Sequence, residues 1–412
     1  MLSILALACA ASTLVLAPPA GARRGSTAAR AHRHTVRHAR RHARKRAKHH
    51  REVAEPSPPL TGPVGEVPPV EEAGPPGGTG APPAGEAPAS EEGPAGGEAP
   101  AGEEGPGAEE AKRSPADPFA ATGLYVEPGS PASQTAAEWA REGRSAEAAQ
   151  IEKIATRPVA KWFGDWTYGH GGAGGDVSWW VGQAAAARRL PLLVAYDLPW
   201  RDCSQYSSGG AADAAAYKKF IDEMAAGIAG RSAAVILEPD ALSELECLGS
   251  EQQSSYYSLL SYAVKTLAKG GTTAVYLDAG HAGWQPAATI AGRLKKAGVA
   301  GARGFSLNVS SFGATAAEES YGEAIVAALG GGAHFVIDTS RNGRGAAPGG
   351  EWCNPPGRGL GTAPTAAAGN AETDALLWVK HPGTSDGTCN GGPAAGSWWP
   401  AAALELAVNS AG

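Results

Sequence analysis

From residue 159 onward, short apolar runs recur along the chain, and most of them end in a polar or charged residue. Runs at 159–163, 192–196, 233–237, 274–277, 304–307, 334–337 and 375–379 have the length of buried strands. The run at 233–237 is the clearest, because Pro239 cannot continue a ladder and Asp240 is delivered at its C-terminal tip. The neighbouring runs lead to Asp202, Asp278, Asn308, Asp338 and Lys380. Between them lie stretches with helical spacing, at 178–189, 211–229, 250–268, 286–297 and 316–329. Tyr217, Phe220, Ile221, Met224 and Ile228 mark one apolar helical face, and Tyr257, Leu260, Ala263, Val264 and Leu267 mark another. Pro286 suits a first helical turn. Strands alternating with helices predict an α/β fold, a parallel β/α barrel of about seven strands whose C-terminal ends converge on one face. The Gly- and Pro-rich stretch 339–374 is too long for an ordinary connection and is predicted to be a functional loop.

Composition confines this pattern to part of the 412 residues. Residues 1–22 hold an apolar core followed by small residues, which reads as a secretory signal, although a positive start is missing. An uncleaved anchor is the alternative, but the apolar core is short for a membrane span. Residues 23–51 are rich in Arg, Lys and His and carry no acid. They read as a disordered basic arm, with an anionic cell-wall polymer as the candidate partner. Nothing aromatic is interleaved for base stacking, so nucleic acid is not the expected primary ligand. Residues 52–115, Pro, Gly, Ala and Glu with repeats such as Pro-Ala-Gly-Glu, bury too little apolar surface to fold and predict a disordered linker. The net charge of −6 conceals this succession of a basic and an acidic segment. Residues 116–412 remain for one large domain with its own core.

The chemistry points to paired carboxylates. Asp202, Asp240 and Asp386 follow strand-like runs, while no metal-ligand spacing and no nucleophile turn is present, so no metal or cofactor is expected. Glycoside hydrolysis needs one protonated acid and one ionised carboxylate across a sugar ring. Trp162, Trp284, Trp352, Trp398 and Trp399 lie in or near loops, where flat rings can pack on sugars, although aromatic residues more often fill a core. Beyond Cys9 in the signal segment, Cys203, Cys247, Cys353 and Cys389 form an even set, which fits an oxidising compartment. Zinc ligation is the rival reading, without the tight spacing it needs. Of the three pairings, Cys203 with Cys247 and Cys353 with Cys389 are preferred, because each closes a loop near a proposed active-site residue.

The segments 194–203 (VAYDLPWRDC), 237–240 (LEPD), 277–284 (LDAGHAGW), 308–310 (NVS), 337–343 (IDTSRNG), 351–353 (EWC) and 378–380 (WVK), the last leading to Asp386-Gly387, resemble glycoside hydrolase family 6. This is the family of endoglucanases and cellobiohydrolases, and the resemblance runs from about residue 120 to the C-terminus. It implies a distorted seven-stranded barrel and hydrolysis of β-1,4-glucan with inversion. Asp240 would be the general acid; Asp202 would hold Asp240 in its proton-bearing state and help activate water through a solvent chain. Asp386 falls at the position of a candidate base, or is instead an ion-pair partner of Arg341 and Lys380. Tyr196 would distort the ring at the cleavage point. Trp162, Asp278, His281, Trp284, Asn308, Trp352, Lys380 and Thr384 match sugar-binding positions, and both preferred disulfides are also the family's. The family usually carries Glu where this chain has Thr384, which removes a hydroxyl acceptor and a partner for Lys380.

The resulting expectation is a secreted, monomeric, inverting endo-β-1,4-glucanase, without a membrane segment once the signal is cleaved and with wall association as a further expectation. The modest intervals from Cys353 to Cys389 and from Lys380 to Asp386 leave little chain to roof the groove; residues 343–350 are the segment able to fold over it. A cellobiohydrolase of the same family is the alternative. A wall-associated glycan-binding protein with reduced turnover, or a polymer-binding arm carrying the barrel as cargo, are readings from other classes.

Overall fold

Each apolar run pairs with the next in the chain. The computed structural model describes residues 117–167 and 169–410; the expected signal, basic arm and acidic linker lie outside the described residues. The strands are β1 (Lys161–Phe163), β2 (Leu192–Ala195), β3 (Ala233–Leu237), β4 (Thr273–Asp278), β5 (Gly304–Leu307), β6 (His334–Asp338) and β7 (Thr373–Leu377). They form one parallel seven-stranded sheet in chain order. Alternate residues serve two cores, as the two-residue period of a strand requires. Leu193, Ala195, Val235, Leu237, Val275 and Leu277 pack with the helices, whereas Val194, Tyr196, Ala234, Ile236, Ala274 and Tyr276 fill the concave side.

The curled sheet closes incompletely. Among the described residues no ladder joins β7 to β1; the seam is held by Ala160 N donating to the Trp378 carbonyl at 3.0 Å. Trp162 Nε1 adds a bond to the Val379 carbonyl at 2.8 Å, and His381 Nε2 lies 2.6 Å from the Ala160 carbonyl. Burial, with Lys161 and Lys380 nearby, pushes the His381 imidazole down to about 4. It is therefore neutral near pH 7, with Nε2–H as the donor to Ala160.

The helices are α1 (Pro131–Arg141), α2 (Ser145–Ala155), α3 (Ala173–Ala186), α4 (Ala214–Ile228), α5 (Ser250–Leu267), α6 (Ala287–Ala297), α7 (Thr315–Leu329) and α8 (Pro400–Val408). The five expected helices correspond to α3 through α7. The expected apolar face of α4 is buried throughout. On α5 the expectation was one residue off at its start. Tyr256, not Tyr257, enters the core, because its hydroxyl finds the Pro199 carbonyl at 2.7 Å. Pro286 caps α6 rather than occupying its first turn. Helices α1, α2 and α8 were not among the expected elements, although α1 has a helical period, with Ala132, Thr135, Ala136 and Trp139 on its buried face after a Ser130 cap. They pack together through Trp139, Ile151, Ile154 and Leu406 around Trp378 and Leu360. Trp398 joins this packing, donating from Nε1 to Thr135 Oγ1 at 2.9 Å, so it serves the core rather than the groove.

Candidate active site

The register aligns Ala195 with Leu237 and Leu237 with Leu277, so Tyr196, Glu238 and Asp278 emerge at one level of the C-terminal face. At the tip of β3 the backbone turns sharply: Glu238 has φ +52° and Asp240 has φ +70°. Such left-handed residues are costly unless their surroundings fix them. Here the Glu238 carboxylate accepts the backbone N–H groups of Asp197 and Leu198 at 3.0–3.1 Å. The Asp240 N–H in turn donates to Asp278 Oδ1 at 2.9 Å. Asp278 also accepts from Gly280 N and Ser306 Oγ at 3.0 Å each. Asp278 is thus a buried anchor beneath Asp240, with both oxygens occupied by the protein.

The Asp240 carboxyl is pushed well above the usual carboxylate range by burial first, then by Asp278, Glu244 and Asp202; Lys380 opposes this. Asp202 is also raised by burial, while the Ser207 N–H that it accepts, together with Arg201 and Lys380, pulls it back. The Tyr196 phenol is kept protonated by burial and by the nearby Asp240 and Asp202 carboxylates. Tyr196, Asp202, Asp240 and Lys380 therefore share one electrostatic neighbourhood. The Tyr196 ring is held edge-on by Trp162 at 5.3 Å, and the Arg201 guanidinium lies 4.6 Å from its centroid.

Asp386 experiences the opposite balance. Burial alone would raise it, but Arg341 and Lys380 outweigh burial and hold it far below the normal range. Arg341 Nη1 reaches Oδ1 and Oδ2 at 3.0 and 2.8 Å, and Lys380 Nζ reaches Oδ1 at 2.9 Å. The Asn354 N–H donates to Oδ2 at 3.0 Å. Every face of this carboxylate is occupied. Lys380 is itself placed by Asp338, whose oxygens accept the backbone N–H groups of Ser310, Ser340, Val379 and Lys380.

The other expected sugar-contact residues divide into two groups. Trp162, His281, Trp284 and Lys380 are partly accessible and Trp352 is exposed, with His281 and Trp284 packed 5.0 Å apart. Asn308 is fully buried, and its amide is taken up by Gly313, through both the N–H and the carbonyl, and by the Asp338 carbonyl. Thr384 turns back on its own loop, donating from Oγ1 to the His381 carbonyl at 3.0 Å, so Asp386 supplies the carboxylate for Lys380. Cys203 is joined to Cys247 and Cys353 to Cys389, which uses all four described cysteines as disulfides rather than metal ligands. The stretch 339–374 is the long connection expected, and it carries Arg341, Trp352 and Cys353. Sequence reasoning gave no separate role to Glu238, Glu244 or Glu318, buried or half-buried carboxyls that burial raises to about 8, 7 and 7. Glu238 lies within the segment 237–240 and Glu244 shortly after it, whereas no motif marks Glu318.

The family model described as glycosyl hydrolases family 6 matches residues 119–410. Endoglucanase A of Cellulomonas fimi is 46% identical over 70% of this chain, which spans 62% of that protein's length. Endoglucanase 1 of Streptomyces halstedii is 44% identical, over 71% of this chain and 90% of its own. Among solved structures, the endoglucanase Cel6 from Mycobacterium tuberculosis, in complex with methyl-cellobiosyl-4-deoxy-4-thio-β-D-cellobioside, has a TM-score of 0.67 and 44% identity. That likeness covers 71% of this chain and 99% of the other. With its family signature running across the sheet and every strand-tip loop described above, the chain belongs to glycosyl hydrolases family 6.

Proposed function

We propose that the protein is a secreted, inverting endoglucanase that cuts internal bonds of soluble or amorphous β-1,4-glucan. One observation carries the reading: Asp240, a carboxyl kept protonated by burial and neighbouring acids, stands beside Tyr196 and Asp202 on a face lined by accessible aromatic rings. A protonated carboxyl can give its proton to the leaving glycosidic oxygen. Asp202 acts through its charge on Asp240 and through a chain of water to the attacking nucleophile. Asp386, saturated by Arg341, Lys380 and Asn354, is read as the ion-pair partner that fixes Lys380 rather than as the base. Tyr196 presses on the sugar ring at the cleavage point.

Attack within the polymer is favoured because the long loop after β6 is held to the body of the protein at the segment able to cover the groove. Residues 343–350, the segment able to cover the groove, are tied elsewhere: Arg344 Nε donates to the Asn409 carbonyl, and Arg358 reaches the Gly345 and Ala346 carbonyls. The names of the similar relatives support the same substrate class. Export is supported by two disulfides, which persist in oxidising compartments. The test is viscosity loss against reducing ends released from carboxymethyl cellulose. An early viscosity drop is expected; cellobiose as nearly the sole early product, with viscosity held, would assign an exo-acting enzyme. No release at all would leave a glycan-binding protein.

A further inference from the structure

Tyr206 and Trp352 come from opposite sides of the sheet. Tyr206 belongs to the loop after β2 that carries Asp202, and Trp352 to the long loop after β6. Their ring centroids lie 6.2 Å apart with the planes tilted by 56°. The two residues are 48% and 50% exposed, so each keeps about half of its surface in water. Neither loop is loose: Cys203–Cys247 fastens the first, and Cys353–Cys389 fastens the second to the loop after β7. The Tyr206 ring also lies against Gly387, next to Asp386, where any side chain would overlap the ring. Loops from both sides of the open seam therefore meet at one pair of tilted, half-exposed rings.

We propose that Tyr206 contacts substrate and forms, with Trp352, an aromatic seat for one glucosyl ring of the β-glucan. The inference rests on the glucanase reading and adds a residue to it. The chemistry selects the ligand. In β-glucopyranose the hydroxyls are equatorial, so the ring's faces present axial C–H groups and only its rim is polar. At 6.2 Å the two rings pack against each other, so together they offer one apolar surface on which a single face of the sugar can lie with its hydroxyls left in water. Burying that face releases water from apolar surface on both partners. The seat adjoins the carboxyls of the site: Ser207, next to Tyr206, donates its N–H to Asp202, and Asn354, two residues beyond Trp352, donates its N–H to Asp386. It therefore holds a glucosyl unit close to the cleavage point, and every oligosaccharide that occupies it gains affinity.

The experiment is steady-state hydrolysis of cellotriose to cellohexaose by wild type, Y206A, Y206F and Y206W. In Y206A, KM for the oligosaccharides is expected to rise about tenfold, the loss of one aromatic contact, with kcat changed far less. Y206F and Y206W keep most of the affinity. An equal fall of kcat on every length, with a lowered unfolding midpoint, would mean that the ring only fastens the loops and would overturn the proposal. Unchanged KM on all lengths would overturn it too. If the wild type hydrolyses none of these sugars, the glucanase reading fails by itself. Calorimetric titration of wild type and Y206A with cellohexaose then reads the seat directly, and equal affinity sinks it.

Discussion

Asp240 and Asp386 are the same side chain in opposite electrostatic settings. Burial and three neighbouring acids raise Asp240, whereas two cations overcome burial at Asp386. Asp240→Ala is expected to abolish turnover of natural glucan and to lose much less on a glucoside whose leaving group needs no proton. Parallel assays on both substrates, with circular dichroism to confirm the fold, check this; equal losses would remove Asp240 from the acid role. Asp386→Ala leaves Arg341 and Lys380 buried without their counter-charge. Breaking such a pair costs about 3–5 kcal/mol, so the urea midpoint should fall sharply. Added azide, which can replace a missing base as nucleophile, should not restore activity. Recovery with azide would return Asp386 to the role of base. The choice between these roles was not legible in the chain: the motif showed a carboxylate, and only the fold shows that Arg341, Lys380 and Asn354 occupy both its oxygens.

At the scale of elements, strand tips and the loops beyond them are stabilised by different means. The tip of β3 is held by hydrogen bonds from its neighbours, with Glu238 and Asp240 at positive φ inside a rigid frame. The loop after β2, with Asp202 and Cys203 also at positive φ, adds the covalent bridge Cys203–Cys247 to the bonds that Arg201 and Asp202 make with Ser207. This bridge spans a sequence separation of 44. Loop-closure entropy then predicts stabilisation of about 4 kcal/mol from constraining the unfolded chain. Replacing both cysteines by serine should lower stability by that order and reduce activity, because the bridge links the loops that carry Asp202 and Asp240. A double variant with wild-type midpoint and rate would show that the hydrogen bonds suffice. Cooler assays, at which the variant remains folded, separate lost stability from lost alignment.

Across the whole molecule, buried carboxyls outnumber nearby cations at the catalytic face. Burial raises Glu238 to about 8 and Asp197, Asp278, Glu244 and Glu318 to about 7. In the unfolded chain such groups titrate near ~4. Between those values the folded protein binds more protons than the unfolded one, so stability falls as pH rises. This contribution is fully present below about 4 and is lost as pH climbs through 7 to 8. Asp386 works the other way: its contribution is present above about 4 and is lost in stronger acid, as pH drops toward its depressed value. The urea midpoint should therefore be higher at pH 5.5 than at pH 8. The reverse order would show that these carboxyls are already ionised at the lower pH.

The strands and the helices packed directly on them were legible because burial on both faces leaves continuous apolar runs and a regular helical period. The motifs around Asp202, Asp240, His281, Trp284 and Arg341 were equally legible, since they are contiguous and chemically distinctive. What stayed hidden depends on residues far apart in the chain. Helices α2 and α8 pack around Trp378 through residues distant in the chain, whereas α1 was legible from its period and its Ser130 cap, although it was not among the expected elements. The seam is held by Ala160 meeting Trp378 and His381, more than 200 residues away. Asp278 and Asn308 match sugar-binding positions of the family motifs, and only the fold shows that their polar atoms are engaged by Asp240, Gly280 and Ser306 and by Gly313 and Asp338. Sequence alone determined which chemical groups reach the catalytic face, because strand alternation and turn residues are local. Only the tertiary structure decided which carboxyl keeps its proton and which is held ionised, because desolvation and Coulomb interaction depend on neighbours that the chain brings together only on folding.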